Sequence, residues 1–458
     1  MDTLLEKTER SGSMHYLPVT EEDRRKMLET IGVTSFEELL KGVPAALRDP
    51  QVKVQEALSE WDLQQHLRYL GSRNKPVTEM LSFLGGGSYE HFIPAAVGEV
   101  IRRNEFYTAY TPYQPEAAQG SLQAIYEYQS LITELTGLDV SNASHYDGST
   151  SLAEAAVLAL RHTDRTRILV SRAVHPHYRE VLKTYFCETH YKIEEFGFGE
   201  NFLFDRQVLE SQLGGDVAGV IFQTPNFFGV LEDLEGVSEM LHTHGTLLIL
   251  AANPLAFGAL RSPGEWGADI AVGEGQPLGI PLSYGGPYLG YFSVTRALMR
   301  RIPGRLAGIT QDAEGRRAFC LTLQAREQHI RRERAASNIC TNQALCALAA
   351  CVYMTLLGKS GIQELAELNM DRAFHLRRLV DGISGFEVQK DQPIFNEFVV
   401  RSKVPFRAIE ERLVAKNILP GIDLEPFYPE LKNHFLVCAT ETKSGEQLET
   451  FVRELSQC

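Results

Sequence analysis

Apolar positions along the chain fall into a recurrent pattern. Short apolar runs at 167–171, 191–196, 217–222 and 246–251 alternate with helical segments near 176–186, 205–213 and 233–243. Runs apolar on both faces are fully buried strands, and their alternation with helices builds a mostly parallel sheet covered on both sides. Two further apolar runs, within 267–272 and ending at Val294, flank a Gly/Pro-rich stretch and predict strand, exposed loop, strand. Upstream, an amphipathic helix spans 121–135 and ends at Gly137, and an Ala-rich helix spans 152–161.

Beyond Val294 a capped helix begins at Thr341 or Asn342 and runs to Leu357, where Gly358-Lys-Ser-Gly361 marks a hinge. The remainder predicts a smaller α/β domain: a helix to about 379, a strand at 394–400, a helix at 406–415, a strand at 434–439, and a closing helix capped by Ser444 with Gln447. At the other end the first ~15 residues are polar and expected to be loosely held. Thr20 opens a helix to Ile31 stopped by Gly32, Ser35-Phe-Glu-Glu38 has the pattern of a capping box, and Ser59 caps a helix through Leu70 stopped by Gly71. The chain thus divides into a helical arm at 1–80, a large α/β domain at 81–358 and a small α/β domain at 359–458.

Composition narrows the function. A chain of 458 residues, 44% hydrophobic, sustains more than one core, and its net charge of -14 disfavours nucleic acid or an anionic membrane as partner. The arginine-rich stretch 326–334 is interrupted by glutamates and reads as a solvated or interface helix. Seven scattered cysteines form no CxxC and have no matching His pairs, so neither a metal site nor a disulfide framework is expected. No apolar stretch is read as reaching the ~18 residues of a membrane span, and no secretory signal is read at the N-terminus. A cytoplasmic protein is the expectation.

Candidate chemistry sits at strand ends and glycine-rich turns. Gly85-Gly-Gly87 matches no phosphate-loop spacing and reads as a tight turn. Asp147-Gly-Ser149-Thr150-Ser151, entering the Ala-rich helix, is either a phosphate seat or a plain N-cap. The aromatic, Pro-studded stretch 106–120, with Thr111, Tyr113 and Gln114, is either an ordered loop aimed at a ligand or partner, or a packed crossing. Gln223-Thr-Pro-Asn226 and Asn253-Pro254 lie at strand C-terminal ends, where ligands of such sheets gather.

The 267–294 stretch resembles the corresponding part of enzymes of the aspartate aminotransferase fold (fold type I). In them the loop after the first strand ends in a lysine that holds pyridoxal phosphate as a Schiff base. Here that position is Gln276, and a carboxamide forms no imine. No lysine occurs from Ile193 to Gly358. The run 246–254 also lacks the Asp that in that fold pairs with the pyridinium nitrogen. The resemblance implies a cofactor site without its anchors, with Ser149, Thr150, Asn253 and Gln276 as its vestiges and no catalytic residue in this chain.

Four stretches carry a closer resemblance: Tyr110-Thr-Pro-Tyr-Gln-Pro-Glu116, Asp147-Gly-Ser-Thr-Ser-Leu-Ala-Glu-Ala155, Leu278-Gly-Ile-Pro-Leu-Ser-Tyr-Gly-Gly-Pro287, and the run 324–344 from Gln-Ala-Arg-Glu-Gln-His-Ile-Arg-Arg to Ser-Asn-Ile-Cys-Thr-Asn-Gln-Ala. They resemble the P-protein of the glycine cleavage system over nearly the whole chain, in its N-terminal half, which many bacteria make as a separate chain. The family often has Met and Gly where this chain has His145 and Ser149. The resemblance implies an α2β2 assembly in which subunit 2 carries the lysine and pyridoxal phosphate. It also implies that the complex decarboxylates glycine and passes the aminomethyl group to the lipoyl arm of the H-protein. This chain is then a pseudo-catalytic partner, and Thr111, Tyr113, Gln114, the loop Ser283-Tyr284-Gly285-Gly286, Arg326 and His329 are candidates to line the companion's pocket. The alternatives are a free-standing pyridoxal enzyme with a relocated lysine such as Lys183, and a purely scaffolding or regulatory subunit.

Overall fold

A computed structural model describes residues 18–48, 53–55, 57–335 and 337–458. The expectation for the first residues lies outside these. The described residues form two compact units that divide between Asn74 and Lys75.

In the first unit, α1 (Glu21–Ile31) and α2 (Glu60–Ser72) begin at Thr20 and Ser59, whose hydroxyls accept the backbone N–H three residues on. Thr20 and Asp23 complete a capping box, which satisfies two helix-entrance donors reciprocally. The box expected at Ser35 does not form. Ser35 makes no side-chain cap bond, and Glu38 instead accepts from the backbone N–H of Thr34 at 3.3 Å and from its hydroxyl. Neither α1 nor α2 has a buried residue, and Met27, Ile31, Trp61 and Leu67 are all more than half exposed.

The second unit holds two main sheets. The larger contains β1 (Val140–Ser141), β2 (Arg167–Ser171), β3 (Lys192–Phe196), β4 (Val217–Gln223), β5 (Leu247–Ala251), β6 (Ile270–Glu274) and β7 (Gly290–Val294) in the order β1-β7-β6-β5-β4-β2-β3. The five strands from β6 to β3 pair in parallel, while β7 is antiparallel to both β6 and β1. Leu248, Ile249 and Leu250 of β5 are fully buried, each contributing about 1.5–3 kcal/mol by leaving water. The sheet is crossed by α3 (Gln119–Thr136), α4 (Gly148–Thr163), α5 (Pro176–Phe186), α6 (Arg206–Gln212) and α7 (Val237–Thr243).

The hairpin of β8 (Leu306–Gln311) and β9 (Arg317–Thr322) was not expected. Its Ala307, Phe319 and Leu321 pack with Leu122 and Ile125 of α3. The helix α8 (Ala344–Asp381) breaks at Gly358, whose φ of 61° and ψ of -175° lie outside helical values. The hinge expected over Gly358–Gly361 is thus one residue within a continuing run. Against expectation, part of α8 is long and apolar enough to cross a membrane by composition. Its Ala347, Ala350, Tyr353 and Met354 are instead buried in the core.

The smaller sheet is antiparallel, in the order β10 (Phe386–Val388), β11 (Glu397–Ser402), β13 (His434–Cys438), β12 (Ile422–Asp423), backed by α9 (Phe406–Val414) and α10 (Gly445–Leu455). A capping box of Ser444 and Gln447 opens α10 as expected.

Candidate functional site

The C-terminal ends of β4, β5 and β6 converge where the two sheets meet. Gln223, Asn253 and Glu274 from these ends, His175 and Tyr178 from the start of α5, and Asn396 and Glu397 from the small sheet line one cavity of ≈ 30 Å³. The segment through Gly87 and Tyr89 forms another wall.

Glu274 organises the loop after β6. One carboxylate oxygen accepts the N–H groups of Gln276 at 3.0 Å and Leu289 at 2.9 Å, and the other accepts Gly148 N–H at 3.1 Å. The group is buried, and burial pushes its carboxyl up to about 8 against three N–H donors that favour the charged form. Gly148 is the first residue of α4, so the Glu274 carboxylate faces the positive end of that helix.

Asp147 takes further donors at that helix start. It caps α4, accepting Thr150 N–H at 2.9 Å and the Ser149 hydroxyl at 2.6 Å. The place where a phosphate would rest is thus surrounded by two carboxyl groups of the chain itself.

Gln276 is 2% exposed. Its carbonyl oxygen accepts Tyr89 N–H at 2.8 Å, and its amide nitrogen donates to the carbonyls of Tyr89 at 2.9 Å and Ile280 at 2.7 Å. The Tyr89 hydroxyl donates to Glu397 at 2.7 Å, and the other Glu397 oxygen accepts Gly86 N–H at 2.6 Å. Burial pushes the Glu397 carboxyl up to about 7. The glycine turn that sequence assigns to residues 85–87 makes this approach feasible. Gly87 has φ of 99°, and a Cβ there would lie 3.0 Å from the His175 ring.

His175 donates from Nε2 to the Gly86 carbonyl at 2.7 Å, because its Nδ1 accepts the His177 N–H at 3.2 Å. Its ring stacks on Tyr178 at 4.8 Å, and burial lowers it to about 4, so it is neutral. Asn253 accepts Leu255 N–H at 3.0 Å, leaving its amide nitrogen unpartnered.

These residues do not fit pyridoxal phosphate. The cavity is about a tenth of the roughly 300 Å³ at which small-molecule pockets begin, its lining contains no amine, and carboxyl groups occupy the helix start. Lys183, the alternative imine former, lies on α5, more than half exposed and paired with Glu195 at 3.0 Å. No group of metal-ligating side chains occurs among the described residues.

The candidates for a companion's pocket lie elsewhere. Tyr113 and His329 are in ring contact at 6.0 Å, and the Arg305 guanidinium lies 5.8 Å from the Tyr113 ring centroid. The Thr111 hydroxyl and two Arg326 nitrogens are buried without a partner, while Arg326 also donates to the Ile302 carbonyl. Gln114 is exposed. The loop Ser283–Gly286 lies between β6 and β7, with Tyr284 fully exposed at φ of 51°.

Sequence reasoning did not single out Glu274, Tyr89, His175, Glu397 or Arg305. Glu274, the one acid in the run 270–274, carried a local signal, because an acid at the buried end of an apolar strand needs partners. Tyr89 and Glu397 carried none, since 308 residues separate them.

This architecture is that of fold type I pyridoxal-phosphate-dependent enzymes. It is shared with a NifS-like protein (13% identity, TM-score 0.61, covering 82% of this chain and 98% of that one) and with alanine–glyoxylate aminotransferase from Nostoc sp. (16%, 0.58, 90% and 98%). Within this class, the family model described as glycine cleavage system P-protein matches residues 14–455. The probable glycine dehydrogenase (decarboxylating) subunit 1 of Anoxybacillus flavithermus is 50% identical over 441 residues, 96% of this chain and 98% of its own, and that of Geobacillus sp. is 49% identical over 445 residues, 97% and 99%. A crystal structure of glycine decarboxylase (P-protein) of the glycine cleavage system, in inhibitor-bound form, superposes with a TM-score of 0.87 at 41% identity, over 97% of this chain and 100% of that one. The chain belongs to the glycine cleavage system P-protein family.

Proposed function

We propose that this chain is the half of a split glycine dehydrogenase (decarboxylating) that lacks the lysine, an oxidoreductase active only together with subunit 2 in an α2β2 complex. In this reading subunit 2 holds pyridoxal phosphate, the complex decarboxylates glycine, and the aminomethyl group passes to the lipoyl arm of the H-protein, all in the cytoplasm. The observation that carries the reading is Gln276, buried and with its amide fully engaged by Tyr89 and Ile280. A side chain so held supplies no nucleophile, so a chain of this family with this site needs the chemistry of a companion.

The contribution of this chain is then to wall and position. Exposed Tyr113 meets the partly exposed His329 and lies over the buried Arg305 guanidinium, with Thr111 and Arg326 beside them in sequence motifs typical of the family. Such a group, with buried donors left over, suits completion by another chain. Ser283–Gly286 offers a second exposed loop for the same purpose. Ser149, Thr150, Asn253 and Gln276 are read as the vestiges of the lost cofactor site, now structural.

The test is to purify the chain alone and together with a subunit 2 of the same family. Alone, it gives no borohydride-reducible absorbance near ~420 nm with pyridoxal phosphate and releases no CO2 from glycine. Together, the two co-purify and decarboxylate. Full activity of the companion alone would reduce this chain to a scaffold.

A further inference from the structure

The cavity between the two sheets combines features that the vestigial reading leaves unexplained. Its wall carries two amide nitrogens without a partner, those of Asn253 at the end of β5 and Asn396 just before β11. Asn396 is 2% exposed, and burying an amide without a hydrogen bond is costly. The orientation of Asn253 is fixed, because its oxygen is committed to Leu255 N–H. The same wall carries the carboxyl groups of Glu274 and Glu397. Each already accepts from protein donors but retains lone pairs, since an ionised carboxylate offers about four acceptor sites.

We propose that this cavity binds one buried water molecule, which accepts from Asn253 and Asn396, donates to Glu274 and Glu397, and so ties the large sheet to the small one. Size and polarity both select this ligand. The ≈ 30 Å³ of the cavity exceeds the roughly 10–15 Å³ that a water molecule needs, and a buried water needs two to four polar partners. An anion is disfavoured by two carboxyl groups, and a cation by two amide N–H groups. A neutral molecule that both donates and accepts satisfies the whole wall. The bridge joins residues from the ends of strands in different sheets, beside the direct link from Tyr89 to Glu397.

The experiment is a high-resolution crystal structure of the full chain in its assembled complex, from crystals grown once in sodium chloride and once in rubidium bromide. The expected result is a single ordered water within hydrogen-bond reach of both amide nitrogens, with no anomalous signal there. A dry cavity, or a rubidium or bromide peak, overturns the proposal. The Asn396→Leu variant supplies a readout of opposite sign for the two cases. With a water present, the leucine displaces it and strands Asn253, and the melting temperature falls by roughly 2 °C or more. With a dry cavity the leucine fills a void and the melting temperature rises, which also overturns the proposal. If the variant does not fold, the crystallographic arm decides alone.

Discussion

The side chain of Gln276 closes a two-way bridge with the main chain of Tyr89, 187 residues earlier: Tyr89 N–H donates to its oxygen at 2.8 Å and its nitrogen donates to the Tyr89 carbonyl at 2.9 Å. A primary amide is suited to this role because it both donates and accepts. An ammonium only donates.

Replacing Gln276 by lysine therefore breaks the bridge in one direction. The Lys side chain leaves the Tyr89 N–H unpartnered in the interior, at a cost of about 1–3 kcal/mol, before any charge is buried. The expected outcome of Gln276→Lys is a lower urea midpoint with an unchanged slope, and still no absorbance near ~420 nm with pyridoxal phosphate. A yellow, borohydride-sensitive variant would show that the site opens readily.

Stability should fall as pH rises from neutrality. Glu274 is held at about 8, and Glu154, Glu232 and Glu397 at about 7, all by burial. The folded state thus binds protons that the unfolded chain has released above its usual carboxylate range. The contribution of these groups is complete below about pH 4.5 and is lost as pH climbs through 7 and 8. His145 and His175, lowered by burial to about 3 and 4, act the other way and contribute fully above about pH 6.5. Urea midpoints should accordingly decline between pH 6.5 and 8.5, and Glu274→Gln should flatten that decline. An equal decline in the variant would mean that Glu274 does not titrate in this window.

Gly229 is predicted to be intolerant of a side chain. Its φ is 80°, and a Cβ there would lie 2.1 Å from the Glu397 carbonyl oxygen. Gly229→Ala should cost about 3 kcal/mol, whereas Gly197→Ala, with nothing within 4 Å, should stay within about 0.5 kcal/mol. Equilibrium unfolding of the two variants side by side checks this.

Tyr113 is 51% exposed, so Tyr113→Ala should leave the melting temperature of the free chain nearly unchanged. In the assembled complex the same change, or Gln114→Ala, is expected to lower turnover roughly tenfold, about 1.4 kcal/mol in the barrier. Intact turnover together with intact assembly would remove both residues from the companion's pocket.

Strands buried on both faces were the most legible part of the fold. β2 occupies the residues read from sequence, 167–171, because consecutive Ile, Leu and Val leave no other arrangement for a run bounded by polar residues. The β8–β9 hairpin escaped because the outer half of β8, from Ile309 to Gln311, is exposed, so burial in that strand is confined to Leu306 and Ala307. Ser35 carried the letters of a capping box, but the neighbouring Thr34 competed for Glu38 and won. At the site, the residue type of Gln276 was enough to exclude an imine. The closure around it was not legible, because Tyr89, Glu274 and Glu397 come from three distant segments, and only tertiary packing decides which carboxyl groups fill a space.

The helices of the first unit leave Trp61, Leu67, Met27 and Ile31 largely in water. Apolar surface of this kind invites promiscuous association when a protein is made in excess. Cells that express the two halves in unequal amounts should therefore lose the surplus to aggregation or proteolysis, which favours translation of both from one message at matched rates.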